Sequence, residues 1–184
     1  MHPRHKTILL PCSLASAHDR VMLNLRRIRS LVMNHGILQV ALDLLDLDRA
    51  VKIAQEAVEG GADWIEAGTP LIKSEGMHAV RTLRQQFPHA VIVADMKVAD
   101  TGALEVEMAA KAGADVIGIL ADADDAVIAE SVRAARLYGV KIMADLINVA
   151  DPLARAQQLE SFGVHIICAH VGIDQQMTGK ESLN

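Results

Sequence analysis

The sequence predicts an α/β fold of alternating helices and parallel strands, and more specifically a parallel (β/α) barrel of the TIM type. Helix-like stretches end near a glycine and lead at once into a short apolar run, and this pattern recurs four times. Hydrophobic residues make up 51% of the chain and aromatic residues only 2%, as in buried aliphatic strands between helices. Polar side chains follow almost every apolar run, and such positions converge on one site in a barrel.

Apolar runs and helical periodicity predict the individual elements of this fold. The predicted strands are Leu38–Leu42, Trp64–Ala67, Val91–Ala94, Val116–Leu120, Lys141–Ala144 and Ile166–Ala169. The predicted helices are Asp48–Glu59, Gly102–Ala112, Ala126–Tyr138 and Pro152–Phe162. Each strand is followed by enough chain for a helix, so neighbouring strands are expected to be parallel.

The chain is expected to hold one barrel domain, residues 37–184, preceded by an N-terminal extension, residues 1–36. A complete barrel has eight β/α units and commonly about 250 residues, so this barrel is apparently truncated after about six of its eight units. Three explanations stay open from the sequence. The chain is a fragment, another chain completes the barrel, or the extension fills part of the gap.

Charge and composition exclude several classes of function. The net charge is −5 and the first 36 residues are basic, so the barrel itself is acidic and unsuited to nucleic acid. No stretch approaches the roughly 20 apolar residues of a membrane span. Two cysteines, Cys12 and Cys168, give no disulfide framework. These features predict a cytoplasmic enzyme that handles cations.

The strongest local signal for chemistry is the segment 94–102, which reads ADMKVADTG. Asp95 ends an apolar strand, and Lys97 lies two residues later, so both side chains can face the same side. Asp100 follows at the start of the next helix, where aspartate is also a natural cap. Opposite charges packed this closely keep a lysine protonated and oriented.

Carboxylates at two strand ends predict a magnesium site. Glu66 ends the second predicted strand, and Asp95 ends the third. Magnesium is typically held by one or two carboxylates, with water and substrate oxygens completing its octahedron. We therefore expect Glu66 and Asp95 to be metal ligands, and the alternative is a metal-free pair of Glu66 with Lys97.

Further ionisable residues lie at other strand ends. Asp43 ends the first strand and is a candidate for orienting Lys97, and Asp145 ends the fifth and is a candidate wall residue or partner of a substrate hydroxyl. His170 closes the sixth strand, where an imidazole is suited to proton transfer. Cys168 lies within that strand and is expected to be unreactive core.

Four motifs carry a resemblance to a known group of proteins: LQVALD at 38–43, IEAGTPLIKSEG at 65–76, ADMK at 94–97 with DTG at 100–102, and HVGIDQQ at 170–176. On these residues the chain resembles the orotidine-monophosphate-decarboxylase superfamily, and within it most closely the 3-hexulose-6-phosphate synthase family. Members of that family condense formaldehyde with D-ribulose 5-phosphate. The resemblance therefore implies an aldehyde-lyase.

The resemblance also implies a mechanism, in which His170 removes a proton from C1 of the ketose and Lys97 and Mg²⁺ stabilise the enediolate. The implied site consists of the metal ligands Glu66 and Asp95, the catalytic residues His170, Lys97, Asp100 and Asp43, and the substrate-binding residues Asp43, Thr69, Lys97 and Asp145. Family members are homodimers, so a homodimer in which Asp100 reaches across the interface is expected.

Alternatives within and beyond this superfamily stay open. Orotidine decarboxylases carry a lysine where this chain has Glu66, which disfavours them. The 3-keto-L-gulonate-6-phosphate decarboxylases have an arginine at the position of Ile173, which favours the synthase, but they share Glu66, Asp95, Lys97, Asp100 and His170. An inactive barrel fragment that needs a partner chain is the third alternative, because nothing matches the family's glycine-rich phosphate-binding loops.

Overall fold

The structure is a computed structural model, and it describes residues 36–179. Its strands are β1 (Gln39–Leu42), β2 (Trp64–Ala67), β3 (Val91–Val98), β4 (Val116–Leu120), β5 (Lys141–Asp145) and β6 (Ile166–Cys168). Its helices are α1 (Leu47–Glu59), α2 (Thr69–Glu75), α3 (Met77–Gln86), α4 (Gly102–Ala112), α5 (Asp125–Tyr138), α6 (Pro152–Phe162) and α7 (Ile173–Met177). The predicted N-terminal extension lies, but for Gly36, outside the described residues.

The strands form one parallel sheet whose spatial order is the order of the chain, β1-β2-β3-β4-β5-β6. In an open doubly wound sheet this order would reverse at a switch point, so that helices cover both faces. An unreversed order with right-handed crossovers places the helices on one face, and the twisted sheet then curls toward a barrel. The predicted α/β class and the incomplete TIM-type barrel are confirmed for residues 36–179.

Successive strand residues face two different environments. Ile92 and Ile142 are fully buried between the sheet and the helices, in the main core. Their neighbours Val93 and Met143 point to the inner face, where they form a smaller apolar cluster with Val116. The inner cluster fills the floor of the half-barrel, and polar side chains follow above it at the carboxyl ends of the strands.

The predicted bounds agree with the structure to within one residue, except at the end of β3. That strand continues to Val98 through a register shift against β4 between Ala94 and Val98. Asp100 was expected to cap α4, but the helix begins after Thr101, and Asp100 Oδ1 instead accepts the N–H of Thr101 at 2.7 Å. The helices α2, α3 and α7 were not predicted, because Gly76 interrupts the first two and the third is one turn long.

Arg84 ties together three segments at the amino-terminal end of the sheet. Its Nε donates to the carbonyl of Gly113 at 2.9 Å, and its Nη1 donates to the carbonyl of Ala90 at 2.9 Å. Its Nη2 pairs with the carboxylate of Asp115, which also accepts the N–H of Ile92 at 2.7 Å. This end lies opposite the loops that follow the strands, where barrels commonly place residues that serve stability.

We expect Arg84→Ala to lower the free energy of unfolding by about 2–3 kcal/mol, because several acceptors lose a charged donor together. Urea unfolding followed by circular dichroism measures this change. Arg133→Ala is the matched control, since the Arg133 side chain is 61% exposed and its ion pair within residues 36–179 is with Glu130 on the same helix. The control should leave the midpoint unchanged, and equal midpoints for both variants would contradict the role of Arg84.

Candidate active site

A cleft of about 610 Å³ opens at the carboxyl ends of the strands, and every one of β1 to β6 contributes to its lining. Seven of the residues predicted from the sequence line this cleft: Asp43, Glu66, Thr69, Asp95, Lys97, Asp145 and His170. Asp100 is exposed and is not among the lining residues. The sheet therefore gathers ionisable groups that are far apart in the sequence into one concave surface.

Lys97 lies between two buried carboxylates. Its Nζ is 3.0 Å from Asp95 Oδ2 and 2.8 Å from Asp145 Oδ2, and Asp95 and Asp145 are only 8% and 4% exposed. Burial by itself lowers the pKa of Lys97, but the two carboxylates outweigh burial and raise the pKa above its usual value. The side chain is therefore a fixed ammonium group at the centre of the cleft.

The backbone at the end of β3 aims Lys97 into the cleft. Lys97 has a φ of 46°, in the left-handed region that residues with side chains rarely adopt. The residue lies within the register shift between β3 and β4. Irregularities of this kind redirect side chains beside active sites, and the surrounding structure must hold the strained backbone in place.

Asp145 connects Lys97 to His170. Its Oδ2 lies 2.8 Å from His170 Nδ1 as well as from Lys97, and its Oδ1 accepts the N–H of Ile147 at 2.9 Å. Burial raises the pKa of Asp145, but the hydrogen bonds from Lys97, His170 and Ile147 outweigh it, so that the net pKa is lowered. An ionised carboxylate only accepts, so Nδ1 is the nitrogen that donates to Asp145, and the lone pair of a neutral imidazole lies on Nε2.

Asp145 lines the cleft, and its contact with a substrate hydroxyl stays a prediction. Its oxygens are engaged by Lys97, His170 and the Ile147 backbone. The geometry supports a positioning role, in which one carboxylate orients both an acid and a base of the site.

Glu66 has an unusually basic carboxylate. The pKa of Glu66 is raised to about 7. Burial is the largest cause and the nearby carboxylates of Asp95 and Asp43 add to it, while a hydrogen bond from the Gln39 amide acts in the opposite direction. Protons therefore compete for the Glu66 carboxylate near neutral pH when no cation is present. A cation bound here would relieve the repulsion among the acidic groups.

Glu66 and Asp95 fit a divalent ion by their chemistry. Both present hard carboxylate oxygens to one cleft, which magnesium prefers. Thr69 Oγ1 lies 2.6 Å from Asp95 Oδ2 and fixes that carboxylate. Among residues 36–179 no group of three or more His, Cys, Asp or Glu side chains has metal-site geometry. Water and substrate oxygens would thus complete the coordination.

Two glycines make room for the acidic side chains. A Cβ on Gly118, in the middle of β4, would lie 3.0 Å from Asp95 Oδ1 and 3.3 Å from Asp95 Cα. A Cβ on Gly68, after β2, would lie 2.2 Å from Asp43 Oδ1. Asp95 and Asp43 can therefore keep these positions only beside residues without a side chain.

Sequence reasoning missed several lining residues, among them Gln39, Gly118 and Asn148. The two-residue period of β1 was a signal that could have found Gln39, because Gln39 and Asp43 point to the same side. Cys168 was expected in the core but lines the cleft, since it lies on the inner face of β6. Burial raises the pKa of Cys168 to about 11, so its thiol stays protonated.

Comparison with known proteins gives a consistent family. The family model described as "Orotidine 5'-phosphate decarboxylase / HUMPS family" matches residues 36–181. A 3-hexulose-6-phosphate synthase of Bacillus subtilis (strain 168) is 41% identical over 145 residues, which cover 79% of this chain and 69% of the relative.

Solved structures agree with this match. The 3-hexulose-6-phosphate synthase from Salmonella typhimurium is 35% identical with a TM-score of 0.78, covering 80% of this chain and 70% of that one. The 3-keto-L-gulonate-6-phosphate decarboxylase from Vibrio cholerae is 35% identical with a TM-score of 0.72, covering 78% of this chain and 66% of that one. The predicted resemblance to a lyase of the 3-hexulose-6-phosphate synthase type is confirmed. The chain belongs to the orotidine 5'-phosphate decarboxylase / HUMPS family.

Proposed function

We propose that this chain is an aldehyde-lyase that condenses formaldehyde with D-ribulose 5-phosphate to give a 3-hexulose 6-phosphate. The observation that carries the proposal is the arrangement of Lys97, Asp145 and His170 in one cleft with the carboxylates of Glu66 and Asp95. This arrangement combines an imidazole, a fixed cation and a pair of carboxylates that suits a divalent ion. Similarity to 3-hexulose-6-phosphate synthases supports the choice of substrates.

The base of the reaction is His170. Its Nε2 takes a proton from C1 of the ketose, and the C–H electron pair forms the C1–C2 double bond of an enediolate. The ionised carboxylate of Asp145 holds the ring through Nδ1 and stabilises the imidazolium that results. C1 then bonds to the carbon of formaldehyde, and the aldehyde oxygen takes up a proton. No atom is lost, so five carbons and one give the six of the product.

The charge of the enediolate is met by the ammonium group of Lys97, which is already held in place by Asp95 and Asp145. A divalent cation held by Glu66 and Asp95 supplies, when bound, further positive charge beside the ketose oxygens. Asp43 is exposed at the cleft and offers an acceptor for a sugar hydroxyl. Thr69 has its hydrogen directed to Asp95, so it offers the substrate only oxygen lone pairs.

A decarboxylase acting on 3-keto-L-gulonate 6-phosphate is the second candidate, favoured by the likeness to the Vibrio cholerae decarboxylase. Ile173 speaks against it, because this cleft-lining residue is apolar at the position where the resemblance implies an arginine. A barrel that is inactive without a partner chain is the third candidate. Release of carbon dioxide from the keto-gulonate ester would identify the decarboxylase. Absence of turnover by the full chain with either substrate would identify the inactive barrel.

The test is formaldehyde consumption by the full chain with D-ribulose 5-phosphate and Mg²⁺. We expect His170→Gln to lower kcat about 10³-fold, because proton transfer by a positioned base typically contributes 10²–10⁴-fold. His89→Gln is the control, since His89 is exposed in the loop before β3 and lies outside the cleft lining. Turnover that continues undiminished in the presence of a metal chelator, or equal rates for the two variants, would rule out the proposed mechanism.

The resemblance extends the proposal to assembly and location. A homodimer would allow Asp100, which is exposed outside its own cleft, to act in the site of the partner subunit. Sedimentation equilibrium of the full chain tests the dimer. Within residues 36–179 no helix has both the length and the hydrophobicity to cross a membrane, and we propose a cytoplasmic location, which cell fractionation would test.

A further inference from the structure

We propose that Arg155 is a positioning residue for this reaction, a role that rests on the proposed function. Arg155 lies on α6, outside the cleft lining. Its guanidinium group fixes the carboxyl ends of β4 and β5, and through them it holds Asp145 where that carboxylate can orient both Lys97 and His170.

The guanidinium group of Arg155 clamps the loop between β4 and α5. Its Nε donates to the carbonyl of Ala121 at 2.6 Å, and its Nη2 donates to the carbonyl of Ala123 at 3.0 Å. Its Nη1 pairs with Asp125 Oδ1 at 2.7 Å. The Arg155 side chain is only 14% exposed, so these bonds are largely shielded from competing water.

Ala121 passes this constraint to the site. Its N–H donates to the carbonyl of Asp145 at 2.8 Å, one step beyond the pairing of Leu120 with Asp145 in the sheet. Ala121 thus accepts from Arg155 and donates to Asp145. The carboxylate of the same Asp145 accepts from Lys97 and His170, each at 2.8 Å. Two hydrogen bonds therefore separate the Arg155 guanidinium from the residue that aligns the base and the cation.

A guanidinium group suits this task better than an ammonium group. It presents donors in several directions in one rigid plane, which matches two carbonyls and a carboxylate at once. A lysine at this position keeps the charge but can satisfy only part of the set. The released loop would let the end of β5 shift, and displacements of about 1 Å at a catalytic group reduce rates strongly.

Arg84 provides a matched control at the opposite end of the sheet. It too binds backbone carbonyls and one aspartate. The aspartate is Asp115, and the carbonyls are those of Gly113, Ala90, Pro88 and Phe87. Both residues therefore stabilise loops by the same chemistry, but only Arg155 is connected to Asp145. Any effect that follows from lost stability alone should appear in both arginine variants, whereas an effect on alignment should appear only at position 155.

The experiment compares Arg155→Lys and Arg84→Lys in the full chain, with Asp125→Asn as a milder second variant in the Arg155 contact. Steady-state kinetics should show kcat about 10–100-fold lower in Arg155→Lys with KM changed less than twofold, as for other residues that orient ligands or catalytic groups from behind. Arg84→Lys should lower the unfolding midpoint and leave kcat unchanged. Asp125→Asn should lower kcat in the same direction but less.

Nitrogen-15 NMR of the His170 imidazole gives a readout that is independent of activity. The wild type should show the tautomer with hydrogen on Nδ1, and Arg155→Lys should shift the signals toward a mixture of tautomers while Arg84→Lys leaves them unchanged. Unchanged imidazole signals in Arg155→Lys overturn the positioning role even if the wild type has no synthase activity. Absence of synthase activity in the wild type, with the shifted signals present, overturns the proposed function instead.

Discussion

Replacing Lys97 by methionine is expected to lower kcat/KM by at least about 10³-fold and to destabilise the fold by about 3 kcal/mol. Both effects follow from the same two ion pairs, because Lys97 Nζ lies 3.0 Å from Asp95 and 2.8 Å from Asp145. Removing one partner of a buried ion pair leaves uncompensated charge and typically costs about 3–5 kcal/mol. Initial rates and urea unfolding of the full chain measure the two effects.

The loss of stability in Lys97→Met should depend on pH in a defined direction. In the wild type the pKa of Asp145 is lowered, so this group stabilises the fold above its unfolded pKa and loses that contribution as the pH falls. Without Lys97 the burial of Asp145 remains, so its folded pKa rises and its contribution disappears. The difference between variant and wild type should therefore be largest near pH 7 and should shrink toward pH 4.

The double variant Lys97→Met/Asp145→Asn separates stability from catalysis. The asparagine removes one of the two orphaned charges at nearly the same volume, so much of the lost stability should return. Activity should not return, because the cation and the ionised acceptor of His170 are both absent. A single variant with wild-type stability, or a double variant with restored turnover, contradicts this double role of Lys97 in stability and catalysis.

The Glu66→Gln variant is expected to lose measurable Mg²⁺ binding and at least about 10²-fold in kcat. Glutamine keeps the shape of the side chain but removes one of the two carboxylates that fit the ion. Isothermal titration with Mg²⁺ measures the binding, and Mn²⁺ can serve as a spectroscopic substitute. Glu56→Gln on the exposed side of α1 changes the net charge equally and should leave metal binding intact. Retained Mg²⁺ affinity in Glu66→Gln would falsify the assignment of Glu66 as a ligand.

The pH dependence of Mg²⁺ binding provides a second check on the same residue. Because burial raises the pKa of Glu66 to about 7, protons compete with the cation below that pH. The apparent affinity of the wild type should rise about tenfold per pH unit below 7 and level off above it. Without metal, a carboxyl group whose folded pKa is raised costs stability above pH 7, so Glu66→Gln should then be the more stable protein by about 1–2 kcal/mol.

The sequence was sufficient to predict the fold because its signals are local and periodic. The glycine at 113 ends α4, the apolar run from Val116 forms β4, and helical spacing marks α5, each within one residue of the structure. The polar residues at the strand ends also predicted that Glu66, Asp95 and His170 lie in one cleft, because parallel strands direct their carboxyl ends to one edge of the sheet. The division into an extension and a barrel domain stays a prediction.

The contacts that give the site its chemistry could not be predicted from the sequence. Asp145 is 48 residues from Lys97 and 25 from His170, so only the folded sheet reveals that one carboxylate serves both. The left-handed backbone at Lys97 lies within a register shift that exists only in the pairing with β4. Gly118 and Arg155 have no local signature of function, and their significance comes from what lies beside them after folding.

Local propensity and hydrophobic period thus determined the order, type and direction of the elements, because these depend on neighbours a few residues apart. Tertiary packing alone decided which oxygen faces which nitrogen, and with it the basicity of Glu66 and the tautomer of His170. The physical reason is that both burial and hydrogen bonding act through space over a few ångströms, and those distances exist only once six strands lie side by side.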